Sequence, residues 1–257
     1  IYIYVNDYLP DVAMIHQIGR LINNFYWSKK LSNTHDIFDD DWANLIILDG
    51  CRFDTYEKLT SIEGNLKKRI STASWTPGFL KSNFEGRDLS NTVYITANPL
   101  YAAERWFEGD ISSSFYQIED IWRECWDEQA GTVHPEAMMN KSIELPEEYP
   151  HKRLIFHFIQ PHIPFIGDTD FSINQVGMRS RDVAMDDKSE KNGFQIWEAA
   201  RENKVSLDKL TSAYEENLSL VLPYINKMIN KFQHTTVITS DHGNHLGMRQ
   251  YPIPVRH

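Results

Sequence analysis

A chain of 257 residues with 41% hydrophobic and 24% charged side chains is long enough to bury a sizeable core, as one large α/β domain or one domain with insertions. Its 12% aromatic content, with 7 Trp, excludes a disordered chain, and its net charge of -10 excludes a general nucleic-acid binder, which needs a basic surface for the phosphate backbone. The two cysteines, Cys51 and Cys125, supply neither a disulfide framework nor a Cys-rich zinc site, so the expected compartment is reducing and cytoplasmic.

No apolar run approaches the ~20 residues of a transmembrane helix. The start, Ile1-Tyr2-Ile3-Tyr4, lacks an initiator Met and a basic signal-like region, and the end, Tyr251 to His257, is irregular; both ends suggest a processed or partial chain. Within 11–31, Val12, Ile15, Ile18, Leu21, Ile22 and Phe25 recur at helical spacing, which predicts an amphipathic helix docked on the body. The acid triplet Asp39-Asp40-Asp41 reads as a solvated loop before the first strand. That strand is the apolar run Leu45–Leu48, and it ends in Asp49.

Thr76 precedes Pro77, which suits the first turn of a helix; taken alone, its hydroxyl is an ordinary N-cap at an anion-favouring helix end. Residues 91–99 form another short strand and a turn. Residues 100–127 are read as partly helical, with Trp106, Phe107, Phe115, Tyr116, Trp122 and Trp126 as core and cleft wall. His134-Pro135-Glu136 opens a helical stretch expected at the surface. A third strong strand, 153–160, carries a core histidine, His157, and leads to His162, held between Pro161 and Pro164.

Residues 166–200 are polar and charged, and read as an insertion or lid. A long helix over 206–232 has an apolar stripe of Leu207, Leu210, Tyr214, Leu218, Val221, Ile225, Met228 and Ile229. It leads into the β-branched run Thr235–Thr239, read as a buried parallel strand, which stops at Ser240-Asp241-His242-Gly243. Asp241 and His242 offer one oxygen and one imidazole nitrogen, a pair that suits a divalent metal. By themselves they fit a capped turn with a solvated histidine equally well. Asp49 also sits at a strand's carboxyl end, where open α/β sheets place their ligand sites, so the two carboxylates can converge on one cation.

Strand-Asp49, Ser74-Trp75-Thr76-Pro77, Gln160-Pro161-His162-Ile163-Pro164 and Thr239-Ser240-Asp241-His242-Gly243 occur in an order that resembles the sulfatase-like branch of the alkaline phosphatase superfamily, over roughly residues 43–250. The resemblance implies a single domain over 1–257 with an alkaline-phosphatase-like, doubly wound sandwich: a mostly parallel central sheet flanked by helices. It implies a metal-dependent hydrolase or transferase acting on phosphate or sulfate esters of small anionic substrates through a covalent Thr intermediate. Asp49, Asp241, His242 and Thr76 would hold one or two divalent ions (Zn, Mn, Mg or Ca), and Thr76 would be the nucleophile. His162 would face the substrate oxygens and protonate the leaving group. Lys81, His245 and His257 are further candidates for substrate contact, although Lys81 reads more readily as a solvated helix residue. Gly50 stands where many sulfatases carry a second aspartate, Leu80 where Arg or His is usual, and Asn244 where Glu is common. These departures motivate the alternative, a catalytically degenerate sulfatase-like binding protein.

Overall fold

The computed structural model describes residues 33–171, 180–185, 196, 199, 200, 202–244, 246, 249, 250, 255 and 256, together with 18, 19, 21 and 22. In chain order the elements are β1 (Asn44–Asp49), α1 (Phe53–Leu59), α2 (Thr76–Phe84), β2 (Leu89–Thr96), β3 (Phe115–Asp120), α3 (Ile121–Cys125), β4 (Trp126–Asp127), β5 (Thr132–Val133), α4 (Pro135–Ser142), α5 (Leu145–Glu148), β6 (Arg153–Pro161), α6 (Ser180–Ala184), α7 (Leu207–Lys231), β7 (Thr236–Ser240), β8 (Arg249–Gln250) and β9 (Val255–Arg256), with short 3-10 turns between some of them.

Five strands form one sheet in the order β3-β2-β6-β1-β7, and every pairing in it is parallel. Parallel neighbours need crossovers, and the crossovers place helices on both faces. Alternate residues of each strand divide the core accordingly. Ile46, Leu48, Val93, Ile95, Leu154, Phe156 and Phe158 pack with Leu218, Val221, Ile225 and Met228 of α7. On the other face Leu45, Ile47, Tyr94 and Ile155 pack with Phe79, Leu80 and Phe84 of α2. The result is a three-layer α/β/α arrangement.

The chain leaves β1 toward β2 and β3, returns through β6, and crosses by α7 to β7 on the far side of β1. The strand order therefore reverses around β1. The carboxyl ends of β6, β1 and β7 lie side by side at that reversal, the position where open α/β sheets hold ligands.

Most expected elements form, for the anticipated reasons. Ser206 caps α7, its Oγ accepting the Lys209 N–H at 3.2 Å, and the stripe from Leu210 to Met228 is buried. His157 is a core histidine, fully buried, with its Nδ1 at 2.6 Å from the Tyr94 hydroxyl.

Four expectations change. The strand at 236–240 is half-buried, because β7 is the last strand of the sheet. The stretch 100–127 contains the strand β3, whose alternation is weak because only its first residue is buried. The helix after His134 is not a surface helix throughout: Met138 and Met139 join the core against α7 and β6. In 166–200, Phe171, Ile196, Ala199 and Ala200 pack with Ile163, Phe165 and Tyr214 in a third apolar cluster, so the described part of this segment is anchored beside the His162 loop. The remainder of that segment lies outside the described residues. So does most of the 11–31 helix; of its described residues Ile18, Leu21 and Ile22 are exposed and Gly19 is buried.

Candidate functional site

The β1–β6 register breaks at the site. Leu48 pairs with Phe158 but Asp49 with Pro161, so Ile159 and Gln160 of β6 are the unmatched residues and Asp49 comes to lie next to His162. Such irregularities are common beside functional sites. Gly50 follows with φ +65, a backbone conformation that glycine adopts without strain. Its N–H donates to Asp241 Oδ1 at 2.8 Å, across 191 residues of sequence. A Cβ at Gly50 would stand 3.2 Å from His162 Cδ2 and 3.6 Å from His242 Cε1. Gly50 thus forms a turn whose amide fixes Asp241 and whose bare Cα admits two imidazoles.

Asp49, Asp241 and His242 are all buried, and they bring three ligand atoms within 4.8 Å of one another. His242 Nε2 is 3.5 Å from Asp49 Oδ1 and 3.5 Å from Asp241 Oδ2. Thr76 Oγ is 3.4 Å from Asp49 Oδ1 and 3.4 Å from His242 Nε2. Helix α2 begins at Thr76 itself, with Trp75 as N-cap and no side-chain cap bond. Thr76 therefore does not cap the helix as its sequence context suggests; its hydroxyl points into the cluster.

The donors fit a small divalent cation. His242 Nδ1 lies 3.1 Å from the Gly243 carbonyl, which can only accept, so that nitrogen carries the proton and Nε2 presents its lone pair. Asp241 Oδ2 is buried without a hydrogen-bond partner, a costly state for a carboxylate oxygen. Burial and the neighbouring Asp241 carboxylate push the Asp49 carboxyl well above the usual range, against the opposing hydrogen bonds of Thr76 and Asn98. Two buried carboxylates at this spacing call for a proton or a cation between them. Four donors at about 2.0–2.1 Å from a tetrahedral Zn²⁺ stand about 3.3–3.4 Å apart, whereas octahedral Mg²⁺ needs about 2.9 Å. The separations of 3.4 and 3.5 Å in the cluster are of the size that such ligand sets span.

His162 stands beside this cluster, its ring edge-to-face with His242 at 6.2 Å between centroids. Its backbone N–H donates to Asp49 O at 3.1 Å, and its Nδ1 lies 3.2 Å from the Ile163 carbonyl, with no hydrogen-bond partner for Nε2 among the described residues. Burial first, then the adjacent His242, lower its pKa to about 4. At neutral pH the ring of the free protein is therefore uncharged. Lys81 lies five residues into α2, and its ammonium pairs with Glu108 at 2.8 Å and Glu85 at 3.6 Å. Leu80 is fully buried against the sheet, so position 80 faces core and could not offer an oxyanion contact. Asn244 is buried; its Oδ1 accepts the Leu246 N–H at 3.2 Å and its carbonyl accepts Arg52 at 3.2 Å. His245 and His257 lie outside the described residues.

Several residues of the site carry no motif. Asn98 donates to Asp49 Oδ2 at 2.7 Å. Tyr214 and Asn217, one turn apart on α7, hold the two loops: the Tyr214 hydroxyl donates to Gly50 O at 2.8 Å and accepts Arg52 N–H at 2.7 Å. The Asn217 amide reaches the carbonyls of His162 at 3.1 Å and Pro164 at 3.0 Å, and its Oδ1 accepts Ile166 N–H at 2.8 Å. An asparagine on the buried face of a helix was the available signal, since such a group must find partners.

The fold and cluster define an α/β protein with a candidate metal centre at the topological switch of a parallel sheet. No protein-family model matches the chain, and neither the curated proteins nor the solved structures include a match. Among the described residues, no helix is long and apolar enough to cross a membrane.

Proposed function

We propose that this protein is a metal-dependent hydrolase or transferase of phosphate or sulfate esters, with an alkaline-phosphatase-like site in which Thr76 is the nucleophile. The observation that carries this reading is the placement of Thr76 Oγ at 3.4 Å from both Asp49 Oδ1 and His242 Nε2, at the start of a helix and inside a buried acid-imidazole cluster. An ordinary capping threonine has no reason to abandon its cap for two metal-ligand side chains.

Asp49, Asp241 and His242 would hold the cation, with Thr76 Oγ beside it. A bound divalent cation supplies charge neutralisation at the ester oxygens and a lowered pKa for the adjacent hydroxyl. The residues of the chain do the rest. Thr76 Oγ attacks phosphorus or sulfur: the new Oγ–P or Oγ–S bond forms as the bond to the leaving oxygen breaks, and the hydroxyl proton passes to solvent. Backbone N–H groups in the first turn of α2 face the substrate's equatorial oxygens. Neutral His162, with Nε2 bare, accepts the proton of the water that cleaves the threonyl ester; in a transferase an acceptor alcohol takes the water's place. Phosphate esters are favoured over sulfate, because Thr rather than Cys occupies the nucleophile position.

The three departures from the sulfatase pattern each have a packing role here: Gly50 in the turn, Leu80 in the core and Asn244 in the loop after β7. Asp49, Asp241, His242 and Thr76 still meet in one cluster. The test is a metal-loaded turnover screen with phosphomonoester, phosphodiester and sulfate forms of one aryl group. Thr76→Ala abolishes turnover and keeps the metal, while Thr76→Ser retains activity. Unchanged rates in Thr76→Ala would sink the role of Thr76.

A further inference from the structure

The geometry points to Asn98 as a positioning residue that makes Asp49 a one-oxygen metal ligand and so biases the centre toward a four-coordinate transition metal over Ca²⁺; this rests on the metal centre proposed above. Asn98 is 1% exposed and sits just beyond the end of β2, on a different strand from the three ligands. Its Nδ2 donates to Asp49 Oδ2 at 2.7 Å.

The orientation of this amide is determined by its other bonds. Asn98 Oδ1 accepts the Leu100 N–H at 3.0 Å, so oxygen must face Leu100 and nitrogen must face Asp49. The backbone is held as well: Asn98 N–H donates to Thr96 Oγ at 2.9 Å, and Thr96 Oγ lies 2.7 Å from Asn98 O. The donor is therefore rigid before any ligand arrives. It is also neutral. A lysine or arginine here would cancel the Asp49 charge and compete with a cation, whereas an amide orients the carboxylate and leaves its charge intact.

The consequence is a constraint on denticity. Asp49 Oδ2 is occupied by Asn98, which leaves Oδ1 to face Thr76 and His242. Asp241 shows the same arrangement by other means: its Oδ1 accepts Gly50 N–H at 2.8 Å and His242 N–H at 2.7 Å, and only Oδ2 is free. Each carboxylate thus offers one oxygen. With one imidazole nitrogen and one hydroxyl, the described residues present few donors, as tetrahedral Zn²⁺ sites do. Ca²⁺ takes about 6–8 oxygens and gains from bidentate carboxylates, which Asn98 denies it at Asp49.

The experiment measures Zn²⁺ and Ca²⁺ binding by calorimetry, and Co²⁺ absorption as a reporter of coordination, in the full chain and in Asn98→Ser and Asn98→Leu. Serine can still cap the Leu100 N–H but is too short to reach Asp49, so its metal-free melting temperature should match the parent protein. Leucine fills the site and excludes a bridging water. The expected result is a loss of about 10–100-fold in Zn²⁺ affinity in both variants, with an altered Co²⁺ spectrum and a narrowed preference for Zn²⁺ over Ca²⁺. Should Asn98→Leu fail to fold, Asn98→Ser carries the test by itself. Unchanged Zn²⁺ affinity and Co²⁺ spectrum in the variants would overturn the role of Asn98 and leave the metal centre standing. Equal losses for Zn²⁺ and Ca²⁺, accompanied by a lower metal-free melting temperature of Asn98→Ser, would reduce Asn98 to a structural residue. No Zn²⁺ uptake by the unaltered protein would overturn the metal centre and the role of Asn98 together.

Discussion

Replacing Asp49 by Asn should stabilise the metal-free protein, although Asp49 lies at the centre of the proposed site. The ligand oxygens of Asp49 and Asp241 lie within 4.8 Å, and both side chains are buried. Two unit charges at that distance repel by about 3 kcal/mol at an effective dielectric constant of about 20. Asparagine keeps the shape and can satisfy both neighbours, its oxygen accepting from Asn98 and its amide donating to Thr76 Oγ. Relief of that repulsion is worth about 3 kcal/mol, roughly 6–12 °C in a chain of this size, and relief of the desolvation of the buried carboxylate, the larger cause of its raised pKa, adds to it.

The pH dependence fixes the sign. The folded-state pKa of Asp49 is raised, so its proton stays on longer in the folded than in the unfolded chain. Its favourable contribution is complete below about pH 4, the unfolded value, and is lost as pH rises toward the folded value. The advantage of Asp49→Asn should thus be absent in acid and largest in mild alkali. Thermal unfolding with a chelator, at about pH 4 and about pH 8, measures it. Added Zn²⁺ should reverse the order, raising the melting temperature of the parent protein alone. If Asp49→Asn is less stable than the parent at alkaline pH without metal, the two carboxylates are not in conflict, and the physical case for a cation between them fails.

Two further outcomes are expected. Burial lowers the His157 pKa to about 4, with its Nε2 unpartnered, so its contribution is present above about pH 6.5 and is lost as pH falls toward 4. That amounts to about 3 kcal/mol of acid destabilisation, and chemical denaturation between those pH values should show a flatter slope in His157→Gln. Leu80→Arg, which restores the usual sulfatase residue, should destabilise by several kcal/mol or abolish folding, since it buries an unpaired charge, whereas Leu80→Met should cost less than about 1.5 kcal/mol. A stable and more active Leu80→Arg protein would mean that position 80 faces the site after all.

Much of the architecture is legible in local sequence, for identifiable reasons. The apolar runs at 45–48 and 154–159 are buried on both sides, as continuous hydrophobic strands of a parallel sheet are. The 3.6-residue stripe of α7 and its serine cap define that helix almost to the residue. Edge elements are harder to read. Among the described residues β3 and β7 are paired on one side only, so composition reflects partial solvation and the pattern fades. Position 80 shows a different failure: a motif aligned by spacing from Thr76 cannot tell which face of α2 a residue occupies, and packing against Leu45 and Ile47 decides it.

The sequence by itself determined the chemistry on offer: strands ending in Asp49 and in Asp241-His242, a threonine at a helix start, and a histidine between prolines. Each of these is local, written in the few residues around it. Only the tertiary structure decided that they meet. Strand order set β1 between β6 and β7, α2 brought Thr76 to the Asp49 carboxylate, and Gly50 reached across 191 residues to hold Asp241. Asn98 became part of the site for the same reason. Its sequence context signals a turn, and its role comes from a carboxylate 49 residues away that only the folding of the sheet brings within 2.7 Å. Periodicity records which residues avoid water; it does not record which partners they find when they do.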